Sequence, residues 1–124
     1  MPDELRITAT EDTPEVVFNN KSGSFLISGR SLPEDAFLFY NNIIEWLVEY
    51  SKTPNSTTNF QFNLEYFNTA SAKQIFKIAS LLCELSKKSE VNVKWHYDEG
   101  DKDMQASGSR FSKLCGINFD LVKN

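Results

Sequence analysis

The chain has 124 residues, 40% hydrophobic and 24% charged, with a net charge of −4 at pH 7. That length suffices for one domain with a real core, and we read residues 1–124 as a single domain with its core at about 7–122. The acidic balance, with no Lys/Arg cluster beyond Lys87-Lys88, argues against nucleic acid as a partner, since a phosphate backbone calls for a concentrated basic surface.

No apolar run reaches the length of a membrane helix, and the polar start "MPDELRITATED" is unlike a secretory signal. A cytoplasmic protein without a membrane partner is therefore expected. Ten phenylalanines predict an aromatic core. Cys83 and Cys115 both fall in apolar helical stripes, which predicts buried thiols rather than a disulfide.

In chain order, "PEVVFNNKSGSFLISG" places two short apolar runs around turn residues and predicts a β-hairpin. In "SLPEDAFLFYNNIIEWLVEYSK", Ser31 followed by Glu34 matches a capping box. Ala36, Tyr40, Ile43, Leu47 and Tyr50 recur at spacings of three and four, and Phe37, Ile44 and Val48 widen the stripe. An amphipathic helix is expected here. "NFQFNLEYF" then alternates, with Phe60, Phe62, Leu64 and Tyr66 on one face and Gln61, Asn63 and Glu65 on the other, as a strand with one buried face does.

From Asn68 or Thr69 the period becomes helical, and Ile75, Phe76, Ala79, Leu82 and Cys83 line one side. "VNVKWHY" alternates again. "DKDMQASGSRFSKLCG" reads as a third helix, with Met104, Phe111, Leu114 and Cys115 apolar and Gly116 just past its end. "INFDLV" is a short terminal strand or an ordered tail. The order β-β-α-β-α-β-α, with right-handed crossovers, predicts an α/β fold. Its mixed sheet would have four or five strands, with helices mainly on one face and the other face largely open.

The search for catalytic groups is largely negative. The lone histidine, His96, sits on the polar face of a strand. No Cys/His set has zinc spacing, there is no Gly-rich phosphate loop, and nothing suggests a Ser/His/Asp arrangement. No enzyme activity, cofactor or metal is expected. The acidic loop at 98–103, "DEGDKD", could hold a hard cation through oxygen ligands. It reads more simply as a solvated turn in which Asp101 or Asp103 caps the third helix, or as a charged rim on a partner surface.

The junction "LEYFNTASA" carries more. Asn68 or Thr69 can cap the helix that opens there, and composition alone favours capping. The same edge of an open α/β sheet is also where ligand and partner sites tend to lie. A phosphoryl group on Thr69 would add about −1.5 to −2 charge where a helix N-terminus tolerates it, with Lys73 one turn on. The fold would survive while a protein contact switched.

Four segments, "TPEVVF" (13–18), "ISGRSLPEDAFLFY" (27–40), "LEYFNTASAKQIF" (64–76) and "VKWHYDEGDKDM" (93–104), together resemble the SiaC-type regulatory phosphoproteins of bacteria, over nearly the whole chain. The resemblance implies a fold similar to STAS domains and a small switch protein in place of an enzyme. It implies a partner kinase that phosphorylates the threonine of the "FNTAS" motif and a PP2C-type phosphatase that reverses this. The unphosphorylated form would activate a diguanylate cyclase, raising cyclic-di-GMP and favouring biofilm growth. By motif position the acceptor is Thr69. STAS switches carry an Asp-Ser-Ser-like stretch and Asn68 stands where its Asp would be, which keeps Ser71 as a second candidate. The implied partner surface comprises Asn68, Thr69, Ala70, Ser71 and Lys73, with Arg30 and Ser31 nearby. Two other readings stay open: a small-ligand module using Asn63, Glu65, Lys94 and His96, and a passive oligomerisation domain using the open sheet face.

Overall fold

The computed structural model describes residues 4–124. Strands β1 (Leu5–Ile7), β2 (Glu15–Asn19) and β3 (Ser24–Ser31) lead into helix α1 (Ala36–Tyr50). Strand β4 (Thr57–Phe67), helix α2 (Thr69–Leu85), strand β5 (Glu90–Tyr97), helix α3 (Lys102–Cys115) and strand β6 (Phe119–Lys123) follow. The six strands form one sheet in sequence order. The β1–β2 and β2–β3 pairs are antiparallel, and those from β3 to β6 are parallel.

The expected architecture holds, with six strands in place of four or five. The extra members are β1, three residues in an otherwise polar stretch, and β6, which settles "INFDLV" as a strand. In a sequentially ordered sheet, successive right-handed crossovers place their helices on one face. Helix α2 accordingly packs between α1 and α3.

The hairpin forms because Asn19 holds the turn. Its Oδ1 accepts from the backbone N–H groups of Lys21 and Ser22, and Gly23 takes a positive φ of 73°. A Cβ on Gly23 would also meet the Thr57 carbonyl oxygen at 2.8 Å, so glycine is required there twice over.

The start of α1 departs from expectation. Asp35 is the N-cap, its side chain accepting from Leu38 N–H at 3.0 Å. Ser31, the expected cap, is instead the last residue of β3 and fully buried. Its hydroxyl finds partners in the core, which outcompete a local capping role.

A second departure lies in β4. Gly29 pairs with Leu64, but Arg30 pairs with Tyr66, so Glu65 is an extra residue. A bulge of this kind reverses the alternation beyond it. Phe67 turns inward against Trp95 and Phe111, and Tyr66, expected inside, is 47% exposed.

The core is aromatic, as the phenylalanine count predicts. Phe18, Phe25, Phe60, Phe62 and Trp95 are fully or almost fully buried. Their rings meet at centroid distances of 4.8–6.0 Å along the sheet, within the range where edge and offset contacts add to area burial. The indole N–H of Trp95 donates to the Met104 carbonyl at 2.9 Å, which ties β5 to the first turn of α3. Gly108 lets α3 approach this ring: a Cβ there would lie 2.4 Å from Trp95 Cδ1. Gly116, at φ 87°, ends the helix.

Four residues assigned to apolar stripes are surface residues: Phe37, Val48, Phe76 and Leu114. A helix buries a stripe narrower than the run of apolar residues that flanks it. Both cysteines are free thiols; Cys115 is buried, which raises its pKa, and Cys83 is half-buried. No helix among the described residues is long and apolar enough to cross a membrane.

Candidate functional site

Helix α2 opens where β4 ends. Asn68 has an extended backbone, and its side-chain oxygen accepts from Ser71 N–H at 2.9 Å. Its own carbonyl accepts from Ala72 N–H, and its N–H donates to the Ser31 carbonyl. The cap is therefore the Asn68 amide and not a hydroxyl. Thr69 is the first residue of the helix and exposed, and no hydrogen bond ties its side chain among the described residues. The N–H groups of Thr69 and Ala70 precede any intrahelical acceptor, so the partial positive charge of the helix start faces solvent beside that hydroxyl. Lys73, exposed, follows one turn later on the same face.

The two roles of the junction fall on different residues, and this is measurable. Asn68→Ala is expected to cost about 1 kcal/mol of stability through the lost cap. Thr69→Ala should stay within about 0.5 kcal/mol of the parent. Urea denaturation of the two variants checks this; equal losses would mean that Thr69 shares the cap.

Beneath the surface lies a chain of hydroxyls. Ser71 Oγ donates to the Ser31 carbonyl at 3.0 Å, and Ser31 Oγ donates to Ser71 Oγ at 2.8 Å. Ser31 has then spent its one hydrogen, so the 2.6 Å contact between Tyr40 Oη and Ser31 Oγ has the phenol as donor. The result is a directed path from α1 through the end of β3 to the first turn of α2. Ser31 and Ser71 are both fully buried. They support the junction from within and are not surface residues, and the Ser71 hydroxyl is closed to solvent.

Burial drives the Tyr40 pKa up to about 12. A folded-state pKa raised above the unfolded value of about 10 means that the neutral phenol is favoured in the fold. That stability is intact below pH 10 and lost as pH rises towards 12. Tyr40→Phe should therefore flatten the fall of melting temperature over this window. An unchanged alkaline slope would place the loss elsewhere.

Of the other expected site residues, Asn68, Ala70 and Lys73 lie around Thr69. Arg30 alternates with Ser31 and so leaves the opposite face of the sheet, where its guanidinium lies 5.9 Å from the Tyr66 ring centroid. His96 also lies on the open face, between Gln61 Oε1 at 2.8 Å and Asn124 Oδ1 at 3.1 Å. Asn63 accepts from Asn124, and Asn92 donates to Asn59, so the amides of this face largely satisfy one another. In the acidic loop Asp101 caps α3, accepting from Met104 N–H. Among the described residues no three His, Cys, Asp or Glu side chains are gathered to hold a metal. Phe37, Leu38 and Lys77, which the sequence did not single out as surface features, stand exposed on α1 and α2, with Lys77 Nζ 5.5 Å from the Phe37 ring centroid.

A sequential mixed sheet with helices on one face, and an exposed hydroxyl at a helix start, define an α/β domain built around a presented surface. The chain belongs to the SiaC family of regulatory phosphoproteins, whose family profile matches residues 7–124; it is a regulator and not an enzyme. A protein of Pseudomonas aeruginosa strain UCBPP-PA14 is 26% identical over 119 residues, covering 95% of this chain and 94% of its own length. SiaC of Pseudomonas aeruginosa shares the fold at a TM-score of 0.89 and 24% identity, covering 99% of this chain and 100% of that one. A structure of the Pseudomonas aeruginosa diguanylate cyclase SiaD in complex with its activator SiaC matches at a TM-score of 0.89 and 25% identity, covering 97% of this chain and 99% of that one.

Proposed function

We propose that this protein is a phosphorylation-controlled switch. The unphosphorylated form binds and activates a diguanylate cyclase. Phosphorylation of Thr69 by a partner kinase blocks that contact, and a PP2C-type phosphatase restores it. The observation that carries this reading is the contrast within one helical turn: the Thr69 hydroxyl is exposed and unbonded among the described residues, while that of Ser71 is buried with its hydrogen committed. The complex formed by the related SiaC with its cyclase supports the choice of partner.

Phosphopeptide mass spectrometry after incubation with the cognate kinase tests the acceptor. The modification is expected on Thr69, and Thr69→Ala should abolish it. Phosphate retained in Thr69→Ala, on Ser71 or elsewhere, would overturn the assignment.

A further inference from the structure

Ser31 gathers hydrogen bonds from both ends of the first turn of α2. Its carbonyl accepts from Asn68 N–H at 3.2 Å and from Ser71 Oγ at 3.0 Å. Asn68 and Ser71 are joined in turn by the 2.9 Å bond from Ser71 N–H to Asn68 Oδ1. These two residues stand on either side of Thr69 and Ala70. Thr69 therefore sits within a closed frame of hydrogen bonds, although its own side chain makes none among the described residues.

The frame extends to α1. Ser31 ends β3 in register with Phe67 of β4, and its hydroxyl lies between Ser71 Oγ at 2.8 Å and Tyr40 Oη at 2.6 Å. Tyr40, Ser31 and Ser71 are all fully buried. The first turn of a helix ordinarily frays first, because its N–H groups lack intrahelical partners. The first turn of α2 is instead pinned at both ends to the middle of the sheet. Stability alone does not call for this chain, since a hydrogen bond contributes only about 0.5–1.5 kcal/mol net and apolar side chains pack such a space as well. A fully satisfied polar chain adds a single fixed arrangement.

We propose that Tyr40, Ser31 and Ser71 are positioning residues for the phosphorylation of Thr69. They hold the first turn of α2 in one backbone geometry, so that the exposed hydroxyl meets the phosphoryl donor in line. In that step the Thr69 oxygen attacks the γ-phosphorus of a nucleoside triphosphate held by the kinase. The hydroxyl proton passes to a base of the kinase, and the nucleoside diphosphate leaves. Such a transfer depends on alignment more than on any group the substrate contributes. The inference rests on the switch proposed above and adds to it residues that never touch the phosphate.

The test follows phosphorylation by the cognate kinase in Tyr40→Phe, Ser71→Ala and a control, Tyr50→Phe. Tyr50 is a second fully buried phenol of α1, 2.8 Å from the Thr58 hydroxyl, and lies about 15 Å further along the helix. In Tyr40→Phe and Ser71→Ala, kcat is expected to fall about 10- to 100-fold with KM nearly unchanged and Thr69 still the residue modified. Tyr50→Phe should be phosphorylated at the parent rate, although thermal melts show a comparable loss of stability. Cyclase binding by unphosphorylated Tyr40→Phe should match the parent, since no surface residue has changed. Parent rates in both Tyr40→Phe and Ser71→Ala would overturn the positioning role and leave the switch standing. Rates that track melting temperature across all three variants, Tyr50→Phe included, would overturn it in favour of a purely structural role. A parent protein that takes no phosphate on Thr69 would overturn the switch and this inference with it.

Discussion

Gly108→Ala is expected to destabilise the protein by about 1–3 kcal/mol, the range found for overpacked cores. An exposed helical glycine behaves in the opposite way, since replacement by alanine gains roughly 1 kcal/mol of helix propensity. Here the added methyl would lie 2.4 and 2.7 Å from Trp95 Cδ1 and Cγ and 2.8 Å from Leu121 Cδ2. The indole cannot yield, because it is fully buried, ringed by Phe62, Phe67, Phe111 and Phe119, and held by its bond to the Met104 carbonyl. Steric cost therefore exceeds propensity gain, and α3 must lift from the sheet. Urea denaturation measures the loss. Adding Leu121→Ala should not restore stability, because the shorter contacts are to the indole. A stabilised Gly108→Ala would show that α3 packs less closely than 2.4 Å implies.

Thr69→Glu is expected to separate fold from function. A carboxylate in the first turn of α2 interacts favourably with the helix dipole, by about 0.3–1 kcal/mol, and among the described residues Thr69 makes no side-chain bond that the change would break. Melting temperature should hold or rise slightly. Cyclase binding should weaken by roughly 10- to 100-fold, about 1.4–2.7 kcal/mol, because like charges brought together at an interface are costly. Glutamate carries about half the charge of a phosphoryl group, so authentic phosphorylation should weaken binding further. Unfolding of Thr69→Glu would make the junction structural only, and unimpaired binding in a folded variant would remove Thr69 from the interface.

Much of the fold was legible because the buried faces follow simple periods. The strand from Phe60 to Leu64 and the α1 stripe from Ala36 to Tyr50 are inside as their spacing predicts. Where the reading failed, a contact distant in sequence had decided the matter. Ser31 satisfies a local capping motif, yet its hydroxyl is claimed by Tyr40 and by Ser71, nine and forty residues away. Tyr66 continues the alternation of β4 on paper, but one extra residue against Gly29 and Arg30 turns it outward, and nothing in "LEYF" announces a bulge. The candidate acceptor was visible as a hydroxyl at a strand–helix junction. The exposed apolar residues of α1 and α2 were not, since Phe37 and Phe76 are indistinguishable from core residues until the helices are packed.

The sequential order of the strands bears on how the protein comes into being. Each strand from β2 onward pairs with the strand that precedes it in the chain, so no later segment has to be threaded between two that have already met. The sheet can grow at one edge as the polypeptide leaves the ribosome, each crossover helix closing over the strand just added. Contacts between neighbouring elements incur little loop-closure entropy. Growth of this kind leaves few half-built edges waiting for a distant partner, which limits the opportunity for nascent chains to associate with one another.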